Sequence, residues 1–172
     1  MAGSYASWAV KNMPTTVRLL GQFPGNPNRV MRGKALFYGL IQAGCTWVLF
    51  ILVQAFNPLA RGEETQTLLI IWTALAFSTA ATSVCAAAHD SKTVESTGVA
   101  AGIALTLVNA GLAGICLLGY FIAAPMVRTR PLAGWVWVTF VVAAQVAAFI
   151  VATNMAGNKV RRLAAGDDVD GG

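Results

Sequence analysis

Few residues in this chain could do chemistry, and most of those lie inside long apolar stretches. Gln42, Asn109 and Gln145 each stand in such a stretch, where an amide without a hydrogen-bond partner is costly. Two arrangements would hold them there. One is hydrogen bonding between neighbouring helices, worth about 0.6–2 kcal/mol per contact. The other is a narrow polar path for a small neutral solute. The remaining polar residues of these stretches are mostly hydroxyls, including Thr46, Thr73, Ser78, Thr79, Thr82, Ser83, Thr106, Thr139 and Thr153, with Gln54 and Asn154.

No charged residue falls within 35–56, 67–88, 97–124 or 132–155. Charge at a bilayer centre is expensive and marks proton relays, voltage sensors and ion sites, so its absence argues against pumps and ion-coupled transporters. A lone His89 removes bis-histidine ligation of haem and most histidine metal sites. As a general base it would sit at the edge of an apolar stretch with no evident partner. Cys45, Cys85 and Cys116 lie in three different stretches without metal-ligand or CxxC spacing, which argues against a disulfide framework. Cys85, near a stretch end, is open to S-palmitoylation or is a plain buried thiol. Gly-rich phosphate loops, nucleophile elbows, HExxH and paired carboxylates are absent. The expectation is a protein with no catalytic residue, cofactor or metal, and not an enzyme.

The elements that must carry these residues are membrane helices. The chain is 56% hydrophobic and 11% charged, and its mean hydropathy of +0.63 far exceeds that of a soluble domain. The stretch 97–124 runs about 28 residues, against the about 20 that cross a hydrocarbon core. Small residues recur along it at Gly98, Gly102, Thr106, Ala110 and Gly114. A glycine inside a helix costs about 1 kcal/mol relative to alanine in water, and close helix–helix contact offsets that loss in small-xxx-small packing. These five residues are the expected packing ridge, and Pro125 is expected to end the span.

The expected fold is all-α, a four-transmembrane-helix bundle with short loops. Residues 1–34 form an N-terminal segment, 35–156 the membrane domain and 157–172 a basic then acidic tail. The spans are about 35–56, 67–88, 97–124 and 132–155. Ala74, Ser78 and Thr82, and likewise Ala144, Ala148 and Ala152, repeat the four-residue small spacing. Residues 3–20 read either as an interfacial amphipathic helix broken near Pro14 or as a poorly ordered terminus, and 21–32 as a linker rich in turn residues. Residues 1–34 lack the pattern of a secretory signal, so the first span is expected to direct insertion.

The net charge of +5 does not form a nucleic-acid face. With four spans the termini share one side, where nine basic residues face three on the other, so both termini are expected in the cytoplasm or its organelle equivalent. The acid-free, basic start to the chain fits this rule and also fits a mitochondrial transit segment. Basic residues at the membrane edge act as topology signals or bind anionic lipid.

Four spans, short loops and small size over about 35–155 resemble the MARVEL-type tetraspan proteins, including the synaptogyrin-like and Casparian strip membrane protein-like groups. That resemblance implies a non-enzymatic scaffold that self-associates in the cell membrane and organises lipid or partner domains. Ala74, Phe77 and the run Thr97, Gly98 and Gly102 are similar to parts of the Tim17-like motif. This second resemblance implies an accessory structural subunit of a mitochondrial respiratory or translocase complex. The expected partners are the lipid bilayer and either further copies of the chain or a larger membrane complex, with no nucleic acid.

Overall fold

The computed structural model describes residues 26–56, 62–89 and 98–165. The expected interfacial helix at 3–20, most of the inter-span loops and the acidic end lie outside the described residues. The described chain is all-helical: α1 (Pro27–Phe56), α2 (Glu63–His89), α3 (Gly98–Thr129) and α4 (Pro131–Ala165). All four are long and apolar enough to cross a membrane.

Helix α1 begins eight residues before the expected span, and its start follows from local chemistry. Asn26 is the N-cap, its Oδ1 accepting from the Asn28 N–H at 3.1 Å, and Pro27 takes the first helical position, where its missing N–H loses nothing. The expected linker over 21–32 is therefore corrected at its C-terminal part, which is helical from Pro27. Helix α4 likewise extends past the expected end at 155, carrying Lys159, Arg161 and Arg162. These two extensions support each other. Met31 and Ala35 of α1 are buried with Ala152, Ala156 and Val160 of α4 and with Ala81, Val84 and Ala88 of α2.

The expected stop at Pro125 is also corrected. Helix α3 runs through Pro125 to Thr129, and α4 restarts after Arg130 alone. A proline removes one backbone donor, but ending the helix there would leave several backbone groups bare beside lipid, which is worse. Thr129 Oγ1 donates to the Pro125 carbonyl at 2.8 Å. The hairpin itself is tight: Arg130 N–H donates to Met126 O at 2.7 Å, and Gly134 N–H to Arg130 O at 3.0 Å.

Two apolar clusters hold the bundle, one at each end. The second joins Ile71 and Leu75 of α2, Cys116, Ala123 and Val127 of α3, and Val138 and Val141 of α4. Helix α2 is the central element, packing on the other three, whereas α1 is peripheral. Burial shows the same order, with 39% of the apolar window of α2 inside the bundle against 11% for α1. The outward faces carry Leu40, Val48, Leu107, Phe121, Val136 and Phe140, all exposed, as a lipid-solvated surface requires.

Glycines set the closest approaches. A Cβ on Gly134 would strike the backbone of Val127 across the hairpin, and one on Gly39 would enter the Phe77 ring. Gly119 faces Val141, whose Cγ2 would lie 2.6 Å from such a Cβ. At Gly111 a Cβ would meet nothing within 4 Å. Replacing Gly134 by Ala is expected to destabilise the detergent-solubilised protein by about 1–3 kcal/mol through overpacking. Gly111→Ala is expected to be neutral or mildly stabilising. Melting followed by circular dichroism checks the contrast, and equal effects of the two changes would refute it.

Candidate functional site

The polar groups of the spans converge on α2. Ser78, Thr79 and Thr82 lie within little more than one turn of this central helix, and each meets an amide from a different neighbour. Ser78 Oγ donates to Gln145 Oε1 of α4 at 2.5 Å, and both residues are fully buried. Thr82 Oγ1 donates to Asn109 Oδ1 of α3 at 2.6 Å. Thr79 Oγ1 lies 3.4 Å from Gln42 Oε1 of α1. A further α1–α2 tie lies toward the other end, where Trp47 Nε1 donates to Thr73 Oγ1 at 3.1 Å.

The hydroxyls are suited to this role because each also bonds within its own helix. Ser78 and Thr79 reach the Leu75 carbonyl at 3.0 and 2.8 Å, and Thr82 reaches the Thr79 carbonyl at 2.9 Å. A hydroxyl has one proton and two acceptor sites, so it shares its proton between carbonyl and amide oxygen, or gives it to the carbonyl and accepts from the amide N–H. Either way the hydroxyl serves its own helix and the neighbouring amide at once. Gln145 uses its second group as well, Nε2 donating to the Leu112 carbonyl of α3 at 3.5 Å. Gln145 thus bridges α2, α3 and α4.

All three amides named from sequence are therefore brought to interhelical bonds. The residues that sequence reasoning missed are their partners. Ser78 and Thr82 read as small packing residues, but the run Ser78, Thr79, Thr82 and Ser83 puts hydroxyls on adjacent stripes of one helix, and that crowding was the available signal. The expected ridge fares differently. Gly98 and Gly102 lie in the first turns of α3 with surroundings outside the described residues. Thr106 and Ala110 are exposed, and a Cβ on Gly114 would meet nothing within 4 Å. The ridge is thus not the face that α3 turns into its own bundle over 106–114. Over that range α3 turns Asn109, Leu112 and Ala113 inward, a face that continues through Cys116, Gly119, Ala123 and Val127 and is displaced around the helix from the ridge.

At the end of the bundle where α1 starts and α4 finishes, Arg32 Nη2 donates to Asn154 Oδ1 at 2.9 Å. Cys85 is half-buried against the apolar cluster there, Cys116 is buried and Cys45 exposed, and none is in a disulfide. His89 is the last residue of α2. Among the described residues no group of histidine, cysteine, aspartate or glutamate could hold a metal ion. The described polar geometry is that of an interhelical fastening. No protein-family model, curated protein or solved structure matches this chain.

The pair Ser78–Gln145 is expected to show a coupling energy of about 0.6–2 kcal/mol in a double-mutant cycle of Ser78→Ala and Gln145→Leu. Unfolding in mixed micelles titrated with sodium dodecyl sulfate measures it. Additive losses would show that the two side chains do not act together.

Proposed function

We propose that this chain is a non-enzymatic membrane scaffold, a four-helix bundle that associates laterally with copies of itself. The observation that carries this reading is the uncovered small face of α3. Thr106, Ala110 and Gly111 are exposed, and among the described residues nothing lies within 4 Å of where a Cβ would stand on Gly111 or Gly114. In lipid, where helices gain nothing by hiding apolar surface, association is driven by close packing, and a shallow face of small residues is the shape that a second helix fits. The amide–hydroxyl bonds support a structural role over a solute path, because they engage the groups that such a path would present to a solute.

The end bearing Arg29, Arg32, Lys34, Lys159, Arg161 and Arg162 is more basic than the end with Arg128 and Arg130. By the positive-inside rule the first is the cytoplasmic end, with both termini on that side and the cell membrane as the proposed location. Lateral self-association in that membrane is also what the MARVEL-type resemblance implies. A second reading is favoured by the bare outer face of α1: it leaves room for a large partner, as an accessory subunit of a mitochondrial inner-membrane complex would need.

Gently solubilised protein from its native cell is expected to run on a native gel as a ladder of small oligomers. Ala110→Leu is expected to collapse the ladder toward monomer while the melting temperature stays within about 2 °C, because loss of a face that is empty in the folded chain is not loss of core packing. A monomeric wild type, or an unaltered ladder in the variant, would contradict the reading. A single very large band at the inner membrane would favour the accessory subunit.

A further inference from the structure

Helices α1 and α4 touch at the basic end of the bundle and then part. Past Ala35, α1 follows α2 instead, through Gly39 against Phe77, Gln42 with Thr79 and Trp47 with Thr73. A cleft of about 440 Å³ opens between α1 and α4, floored by α2 and lined by Leu36, Ile70, Ala74, Phe77, Val146 and Phe149 among others. Its accessible wall is apolar. From Phe77 down to Ile70 the cleft descends about 10 Å at 1.5 Å per residue.

The upper end of this cleft is marked by charge. Arg29, Arg32 and Leu36 are spaced three and four residues apart, so they share one face of α1, and both arginines are exposed. Leu36 lines the cleft, and Arg32 stands one turn above it, bonded to Asn154 of the opposite wall. Asn154 takes one of the five N–H donors of the guanidinium, which leaves the others for a bidentate acceptor such as phosphate. With Gly39 against Phe77, and equally by the rise of α4 from Asn154 to Val142, the foot of the cleft lies about 20 Å below Arg32, close to half of the about 40–45 Å that a bilayer spans with its headgroups.

We propose that the cleft holds one acyl chain of an anionic phospholipid whose phosphate is bound by Arg32. The charge at the mouth and the apolar wall below it match the two parts of that molecule in order and in depth. A helix from a second copy fits less well. A helix is about 10–12 Å across and brings no anionic group to Arg32, whereas a single acyl chain is far thinner and carries the phosphate above it. The site lies on the α1–α4 side and is distinct from the small face of α3, so lipid retention and oligomerisation can be separated by experiment.

The test uses the full chain purified in detergent and exposed to equal mole fractions of dioleoyl phosphatidylglycerol and dioleoyl phosphatidylcholine, with retained lipid counted by native mass spectrometry. The expected result is one phosphatidylglycerol per chain, preferred about fivefold or more over phosphatidylcholine. Arg32→Gln is expected to lower that preference about fivefold. Val146→Trp, which fills the cleft from an exposed position, is expected to abolish retention of both lipids with the circular dichroism spectrum unchanged. Equal retention of the two lipids by the wild-type chain would overturn the proposal. So would undiminished phosphatidylglycerol in Val146→Trp, an unaltered preference in Arg32→Gln, or a second protein chain recovered in place of the lipid.

Discussion

Hydrocarbon offers no hydrogen-bond partner, and the rest of this structure depends on that constraint. Each amide placed in a span must find its complement inside the bundle. Here the complements are gathered on one helix: Ser78, Thr79 and Thr82 of α2 meet Gln145 of α4, Gln42 of α1 and Asn109 of α3. That is why α2 is both the most polar of the spans and the most buried. Its hydroxyls are short, keep their own helical carbonyls company when rotated inward, and add little bulk, so neighbours approach on three sides.

Close packing then distributes the rest. Gly134 lets α4 turn back against Val127 within a single-residue link, and Gly119 lets Val141 lie against α3. At the opposite end Met31, Ala156 and Val160 stitch the two outermost helical extensions together beneath a ring of arginines and lysines. Between these points α1 follows α2, which leaves a cleft and a broad apolar face toward lipid. The bundle is therefore fastened along its centre and at both ends, with a loosely covered first helix.

The four spans were legible in the sequence because about 20 apolar residues without charge leave little alternative to a membrane helix. The amides were legible for the same reason, since their cost in lipid demands a partner. Their partners were harder to read: which hydroxyl faces which amide depends on the rotation of each helix about its axis, and one sequence of alanines, serines and threonines does not fix that angle. The same ambiguity explains the ridge from Gly98 to Gly114. Its spacing guarantees a smooth stripe, but α3 turns Cys116, Gly119 and Ala123 inward instead, so the described part of the stripe faces away from the chain's own core. Boundaries erred where local chemistry was read without its setting. Pro27 initiates a helix because Asn26 caps it, and Pro125 fails to end one because bare backbone beside lipid is worse than one lost bond.

The central claim is that the hydroxyl line of α2 fastens the other three helices. The most direct measurement is the unfolding of a chain carrying Ser78→Ala, Thr79→Val and Thr82→Val, followed in mixed micelles by circular dichroism and by tryptophan fluorescence. The account predicts a loss of about 2–5 kcal/mol, seen as separation of the helices at lower sodium dodecyl sulfate while helical content is retained. An unfolding curve that overlays the wild type would contradict it, and would mean that apolar packing alone holds the bundle.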